Sequence, residues 1–297
     1  MPGEPKDLTA LGAEPVPGSG SWPELPDPLP VPVPDSHCHL DIAYDSERHG
    51  PGLSVDRALQ LSASVGVPKI VQVGYDLASS QWGVRVANEH REVVAAVALH
   101  PNEAPRLAES GEFDRAFEAI AELAGDKRVR AIGETGLDHF RTGPEGRAAQ
   151  EESFRRHIAL AKELDLALVI HDRDAHDDVV RMLLAEGAPE RVVFHCFSGG
   201  LELARICTER GWFMSFAGPV TFKANEHLRQ ALVAAPADLV LVETDAPFLA
   251  PLPHRGRPNA SYLIPVTLQA MAKARGVDVS ELAGSVTAAT EAAFGPW

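Results

Sequence analysis

His37 and His39 flank Cys38 in the segment Val33-Pro34-Asp35-Ser36-His37-Cys38-His39-Leu40-Asp41, where an apolar run turns polar. Side chains alternate between the two faces of a β-strand, so the imidazoles point one way and the thiol the other. Two imidazoles side by side at a strand end are placed to share one metal ion. Related chemistry recurs at Leu99-His100-Pro101, Gly133-Glu134-Thr135-Gly136, His171-Asp172-Arg173-Asp174, His195-Cys196-Phe197-Ser198-Gly199-Gly200 and Glu243-Thr244-Asp245-Ala246-Pro247. Each of these segments also closes a β-branched run.

The set His37, His39, His171, His195, Glu134 and Asp245 is too large for one tetrahedral zinc and suits two divalent ions. Glu134 is expected to bridge them. His37 and His39 would hold one ion, and His171 and His195 the other. Asp245 would touch the first ion and act as general base towards a water. Two ions of this kind activate water at neutral pH and clamp an in-line displacement at phosphorus. Mg²⁺, Mn²⁺ and Zn²⁺ all fit such donors. Around them, Arg173, Arg255 and Arg257 are candidates for substrate contact. Ser198, ahead of a helix, is either part of an anion site or a plain cap. His100 is either a donor to a substrate phosphate or a support behind the ligands. No Gly-x-Ser-x-Gly segment offers a nucleophile, and Cys38 and Cys196 are expected to pack.

Something must hold these groups together. Strands are expected over 33–39, 69–74, 93–100, 129–134, 167–171, 191–195, 212–216 and 239–245. Helical segments are expected over 55–65, 78–90, 112–125, 145–164, 175–187, 200–210, 224–234, 264–275 and 279–293. Phe154, Ile158, Ala161 and Leu164 keep a helical spacing, as do Phe113, Phe117, Ile120 and Ala124. Eight strands alternating with helices predict an α/β protein of the (β/α)8 TIM-barrel type, with its polar groups on the C-terminal face. A doubly wound sheet would usually carry a glycine-rich phosphate loop after its first strand, and none is present.

The chain has 297 residues, 45% of them hydrophobic, which is enough for a large core. A net charge of −15 argues against a broad, non-specific nucleic-acid surface. It leaves room for phosphate handling through metal. Three cysteines without paired spacing point to a reducing cytoplasm. No apolar run is long enough for a membrane span, and no secretory leader is evident. Residues 1–34 hold ten of the 24 prolines, so 1–32 are expected to form a disordered or loosely docked extension and 33–297 the hydrolase domain.

Taken in order, these motifs resemble the TatD family of metal-dependent deoxyribonucleases. The matching segments are the six above, with Leu137-Asp138 continuing the Glu134 segment and a late Arg255-Gly256-Arg257-Pro258-Asn259 element. The resemblance covers about 33–295. It implies a TIM-barrel hydrolase with divalent metal at His37, His39, Glu134, His171, His195 and Asp245, and 3′–5′ exonuclease activity on DNA 3′ ends. The proline-rich start and Asn259-Ala260-Ser261-Tyr262 depart from the usual pattern. Rival readings are an amidohydrolase acting on C–N bonds, a phosphotriesterase, and a TatD-like enzyme removing D-amino acids from tRNA. Many of the first two bridge their metals with a carbamylated lysine at the fourth strand, where this chain has Glu134.

Overall fold

The computed structural model describes residues 16–18, 21–43, 46–49 and 52–297. Its strands are β1 (Asp35–Cys38), β2 (Ile70–Val73), β3 (Val93–Val97), β4 (Val129–Asp138), β5 (Ala167–Arg173), β6 (Val192–Phe194), β7 (Phe213–Phe216) and β8 (Val240–Val242). They form one parallel sheet in sequence order. Helices α1 (Ser46–His49) and α2 (Val55–Ser64) follow β1, and α3 (Leu77–Glu89) follows β2. Then α4 (Glu103–Ser110) and α5 (Phe113–Ala124) follow β3, and α6 (Pro144–Glu163) follows β4. After β5, β6 and β7 come α7 (His176–Glu186), α8 (Leu201–Arg210) and α9 (Glu226–Ala234). The last pair, α10 (Ile264–Arg275) and α11 (Val279–Phe294), follows β8. This is the (β/α)8 barrel that the alternation predicts.

Local chemistry sets the element ends. The Asp76 carboxylate accepts from the Ser79 backbone at 2.7 Å, and the Ser79 hydroxyl accepts in return from the Asp76 N–H, a reciprocal cap that starts α3. α4 carries Pro105 in its first turn, where a missing N–H costs nothing.

Strands covered on both faces should be apolar throughout, and every residue of β2, β3, β6, β7 and β8 is buried. One face packs under the helices. The other forms a separate cluster from alternate positions: Val71 and Val73, Val94 and Ala96, Ala131, Ala167 and Val169, Val193, Phe213 and Leu241. Ala289, Ala293 and Phe294 of α11 join this inner cluster. The same parity carried two residues on reaches His171 from Val169, His195 from Val193 and Glu243 from Leu241. The inner face that is apolar along the strands therefore becomes ionisable at their C-terminal ends.

The seam between β8 and β1 closes at those ends. Cys38 and Ala246 form an isolated parallel bridge. The Asp245 N–H donates to the His37 carbonyl at 2.9 Å, and the His39 N–H to the Ala246 carbonyl at 2.7 Å. Nearby, the Asp35 carboxylate accepts from the Thr244 backbone at 3.0 Å and from its hydroxyl at 2.6 Å. Closure of the barrel and placement of three proposed ligands depend on the same few bonds.

β4 runs to Asp138, beyond the expected end at 134, because its pairing with β5 continues through Gly136↔His171, Leu137↔Asp172 and Asp138↔Arg173. Glycine permits this approach. A Cβ on Gly136 would lie 2.1 Å from the His171 carbonyl oxygen, and its φ of +139° is strained for any other residue. Gly136→Ala is expected to push β4 from β5 and destabilise the fold by about 3 kcal/mol or more. Thermal denaturation measures it; a melting temperature within a degree or so of the parent would show that the strands absorb the methyl group.

The expected extension, 1–32, falls partly outside the described residues. Of its described residues, 16–18 and 21–32, the second stretch lies on the barrel. Trp22 and Leu29, like Val33 just beyond, are buried in the main core. The Leu29 N–H donates to Val65 at 3.0 Å, the Tyr262 hydroxyl to Pro23 at 2.9 Å, and Arg257 to the carbonyls of Ser21 and Trp22 at 2.7 and 2.6 Å. Among the described residues, no helix is long and apolar enough to cross a membrane.

Candidate metal centre

Glu134, near the middle of β4, is 5% exposed and lies at the centre of the histidines. Its Oε1 is 3.5 Å from His39 Nε2. Its Oε2 is 3.0 Å from His195 Nε2, 3.3 Å from His171 Nδ1 and 3.9 Å from His100 Nε2. The two oxygens thus face two different imidazole groups. On the Oε1 side, His37 Nε2 and His39 Nε2 lie 3.4 Å apart, and Asp245 Oδ1 lies 3.7 and 3.5 Å from them. The structure brings together all six residues expected to bind metal.

Among the described residues, three groupings have ligand atoms close enough to hold an ion: His37 with His39 and Glu134, His100 with Glu134 and His171, and His37 with His195 and Glu243. His100 Nε2 stands beside His171, 3.3 Å from its Nδ1. Imidazole nitrogens and carboxylate oxygens together suit borderline and hard divalent cations, so the donor set fits such ions.

Three of the imidazoles, those of His39, His171 and His195, are aimed by a hydrogen bond from the other nitrogen, the support metal-binding histidines need, whereas His37 Nδ1 is buried without one. His39 Nδ1 donates to the Val73 carbonyl at 2.9 Å. His171 Nε2 contacts Asp138 Oδ2 at 3.2 Å, and Asp138 is itself held by the Asn102 amide and the Arg141 N–H. His195 Nδ1 contacts Glu243 Oε1 at 3.2 Å, and that oxygen also accepts from the Cys196 N–H at 2.7 Å. Asp138 and Glu243 are carboxylates beside the site's imidazoles to which motif reading gave no role. Strand parity was the available signal for Glu243.

The charges are tightly coupled. Burial works to neutralise Glu134, but the facing charges of His100 and His195 hold its carboxyl well below the usual range. Burial likewise opposes a charge on His195, yet Glu243 and Glu134 push its pKa well up. For His39 the same contest, won by Asp245 and Glu134, ends at about 9. His37 goes the other way: burial and the charge of His195, whose ring stacks on it at 3.9 Å between centroids, hold it well below its usual value. Cations entering the site would displace protons from His39 and His195, so metal binding weakens as pH falls.

Two site residues occupy left-handed backbone, Asp245 at φ +54° and Cys196 at φ +42°. Such positions persist where surrounding contacts over-determine them. Cys38 packs against Ile70 and Ala246. The Ser198 hydroxyl donates to the Asp172 carbonyl at 3.2 Å, and Gly200 takes the cap position of α8. Arg173 stacks on Phe140 with its guanidinium carbon 4.0 Å from the ring centroid, and Arg255 on Phe222 at 4.8 Å.

The family model described as TatD related DNase matches residues 34–295. The chain belongs to this TatD family. A Mycobacterium tuberculosis protein named "Uncharacterized metal-dependent hydrolase TatD" is 40% identical over 265 residues, 88% of this chain and 97% of that one. A Bacillus subtilis relative, "Uncharacterized metal-dependent hydrolase YabD", is 36% identical over 85% of this chain and 95% of its own length. Among solved structures, the TatD homologue YjjV from Escherichia coli superposes with a TM-score of 0.79 at 25% identity, covering 89% of this chain and 98% of that one. The protein is thus a metal-dependent hydrolase of the TatD family.

The other histidines provide a contrast. His157 of α6 is fully buried, and its Nε2 accepts from the Leu99 N–H at 3.1 Å while Nδ1 donates to Ser153 at 2.7 Å. It braces the segment before His100. Burial lowers its pKa to about 4. An unfolded chain takes up that proton first as pH falls, so the stability this group contributes is intact above about pH 6.5 and is lost as pH drops towards 4, by about 3 kcal/mol. His157→Gln keeps an acceptor with nothing to protonate. Melting curves over that window should be less steep in pH for the variant than for the parent; parallel profiles would show that His157 does not titrate as described.

Proposed function

We propose that this TatD-family hydrolase is a deoxyribonuclease that uses two divalent ions to remove nucleotides from DNA 3′ ends. The observation that carries the reading is the division of Glu134, with one oxygen towards His39 and the other towards His171 and His195. His37, His39 and Asp245 would hold one ion, and His171, His195 and His100 the other, with Glu134 between. Mg²⁺, Mn²⁺ or Zn²⁺ in these places would supply Lewis acidity and a water of lowered pKa.

The protein's own groups do the rest. Asp245, 15% exposed at its side chain, is the acid of the set most open to solvent and accepts the proton of the attacking water. Glu243 and Asp138 keep His195 and His171 aimed as charge builds on phosphorus. Arg173 and Arg255 place positive charge at the mouth of an otherwise acidic protein, where the phosphodiester must approach. Cys38, Cys196 and Cys207 remain free thiols, which fits the cytoplasmic location we propose.

The test is nucleotide release from a 3′-ended single-stranded oligonucleotide with Mg²⁺, Mn²⁺ or Zn²⁺, against the same reaction with chelator. Metal-dependent release of mononucleotides is expected. Release that survives chelation overturns the mechanism. Hydrolysis of a cyclic amide or of D-aminoacyl-tRNA without release from DNA replaces the substrate.

A further inference from the structure

Two aromatic side chains stand out at the mouth of the barrel. Among the described residues, Phe140 (63% exposed) and Phe248 (39% exposed) are the aromatics among the well-exposed large hydrophobics; the others are leucines and valines. Both belong to loops that leave strands bearing proposed ligands. Phe140 follows Asp138, the partner of His171, by two residues. Phe248 donates its N–H to the Asp245 carbonyl at 2.9 Å, and its ring meets His39 edge-on with centroids 6.5 Å apart. Two partly exposed rings beside one polar centre offer flat apolar faces, and a ligand that covers them removes apolar surface from water.

The topology sets them on opposite walls. Phe140 rises from β4 beside β5, and Phe248 from the β8 end beside β1, and these strand pairs lie four strands apart in either direction around an eight-stranded ring. The metal centre lies between them. Arg173 already backs the Phe140 ring, as guanidinium groups do in stacks that hold nucleobases.

We propose that Phe140 and Phe248 are two nucleobase platforms that hold the bases on either side of the scissile phosphate. This rests on the phosphodiesterase reading above. One base lies on the open face of Phe140, with Arg173 behind the ring, and the other on Phe248 beside His39. Every base has a π-face, so such platforms position the chain without reading its sequence. They also explain how an acidic protein grips a polyanion: phosphate meets the metal centre, and affinity comes from the bases rather than from a basic surface.

The test compares two 3′-ended oligonucleotides, one complete and one with abasic sugars at its last two positions. Phe140→Leu and Phe248→Leu keep an apolar side chain and remove the ring. The ratio of kcat/KM for complete over abasic substrate is expected to fall about tenfold in each variant, carried by KM, since one stacked base contributes on that order. With 2-aminopurine at the last or the penultimate position, binding to the parent protein should quench fluorescence. Each variant should lose the quench at one of the two positions. An unchanged ratio in both variants, with the quench retained, overturns the platforms while leaving the nuclease reading intact. A parent protein that releases no nucleotide from either oligonucleotide overturns the reading beneath them.

Discussion

Asp245→Asn is expected to lower kcat on DNA by about 10²–10⁴-fold, the usual contribution of a positioned general base, with little change in melting temperature. The substitution isolates charge from shape. Asp245 sits at φ +54°, a conformation that asparagine also tolerates and alanine does not. Its N–H bond to the His37 carbonyl closes the barrel seam and survives the change. The amide can still occupy the space 3.5 and 3.7 Å from His39 and His37 Nε2. It cannot accept a proton from water, and it binds a cation more weakly than a carboxylate. Asp245→Ala should add a stability loss from backbone strain, so the pair of variants separates the two effects. Initial rates with saturating metal, read with circular-dichroism melts, decide the matter. An Asp245→Asn enzyme within about tenfold of the parent would remove Asp245 from the role of base.

The parts of this site that were legible in the sequence are those that strand parity and motif order encode. His37 and His39 share a strand face, and the inner apolar positions of β5 and β6 lead directly to His171 and His195. What stayed hidden depends on neighbours in space. Gly133 and Gly136 read as the end of a strand, yet they are what let β4 press against β5 as far as Asp138. That extension brings Asp138 under His171. His100 stays open between a substrate donor and a support in the sequence; its place beside Glu134 and His171 comes from the adjacency of β3, β4 and β5. Residues 21–33 have no period to read. Their docking rests on isolated anchors, Trp22, Leu29 and Val33, and on carbonyls that happen to meet Arg257 and Tyr262. Arg257, part of the late element that resembles the family, is thereby committed to holding that segment.

Glu134→Ala should reduce bound metal from about two ions per chain towards none, and activity with it, because both proposed sites use this carboxylate. The reasoning follows from its two oxygens. Remove them and the Oε1 side keeps His37, His39 and Asp245, while the Oε2 side keeps only imidazoles. A group of neutral histidines has no anion to offset a divalent charge in a buried place, so the second side should lose its ion first. The folded state feels the loss less than the metal does. Glu243 and then Glu134 favour a proton on His195, and without Glu134 the imidazoles shed protons more readily, which limits the charge left buried. Destabilisation of the metal-free protein should therefore stay below the ~3–5 kcal/mol that breaking a buried pair otherwise costs. Glu134→Gln keeps the volume and one acceptor oxygen but not the charge, and should resemble the alanine variant in metal content while melting closer to the parent. Metal-to-protein ratios after dialysis, with melts of the metal-free proteins, give both answers. A Glu134→Ala protein that retains the parent's full complement of metal would show that the carboxylate does not bridge the two groups it faces.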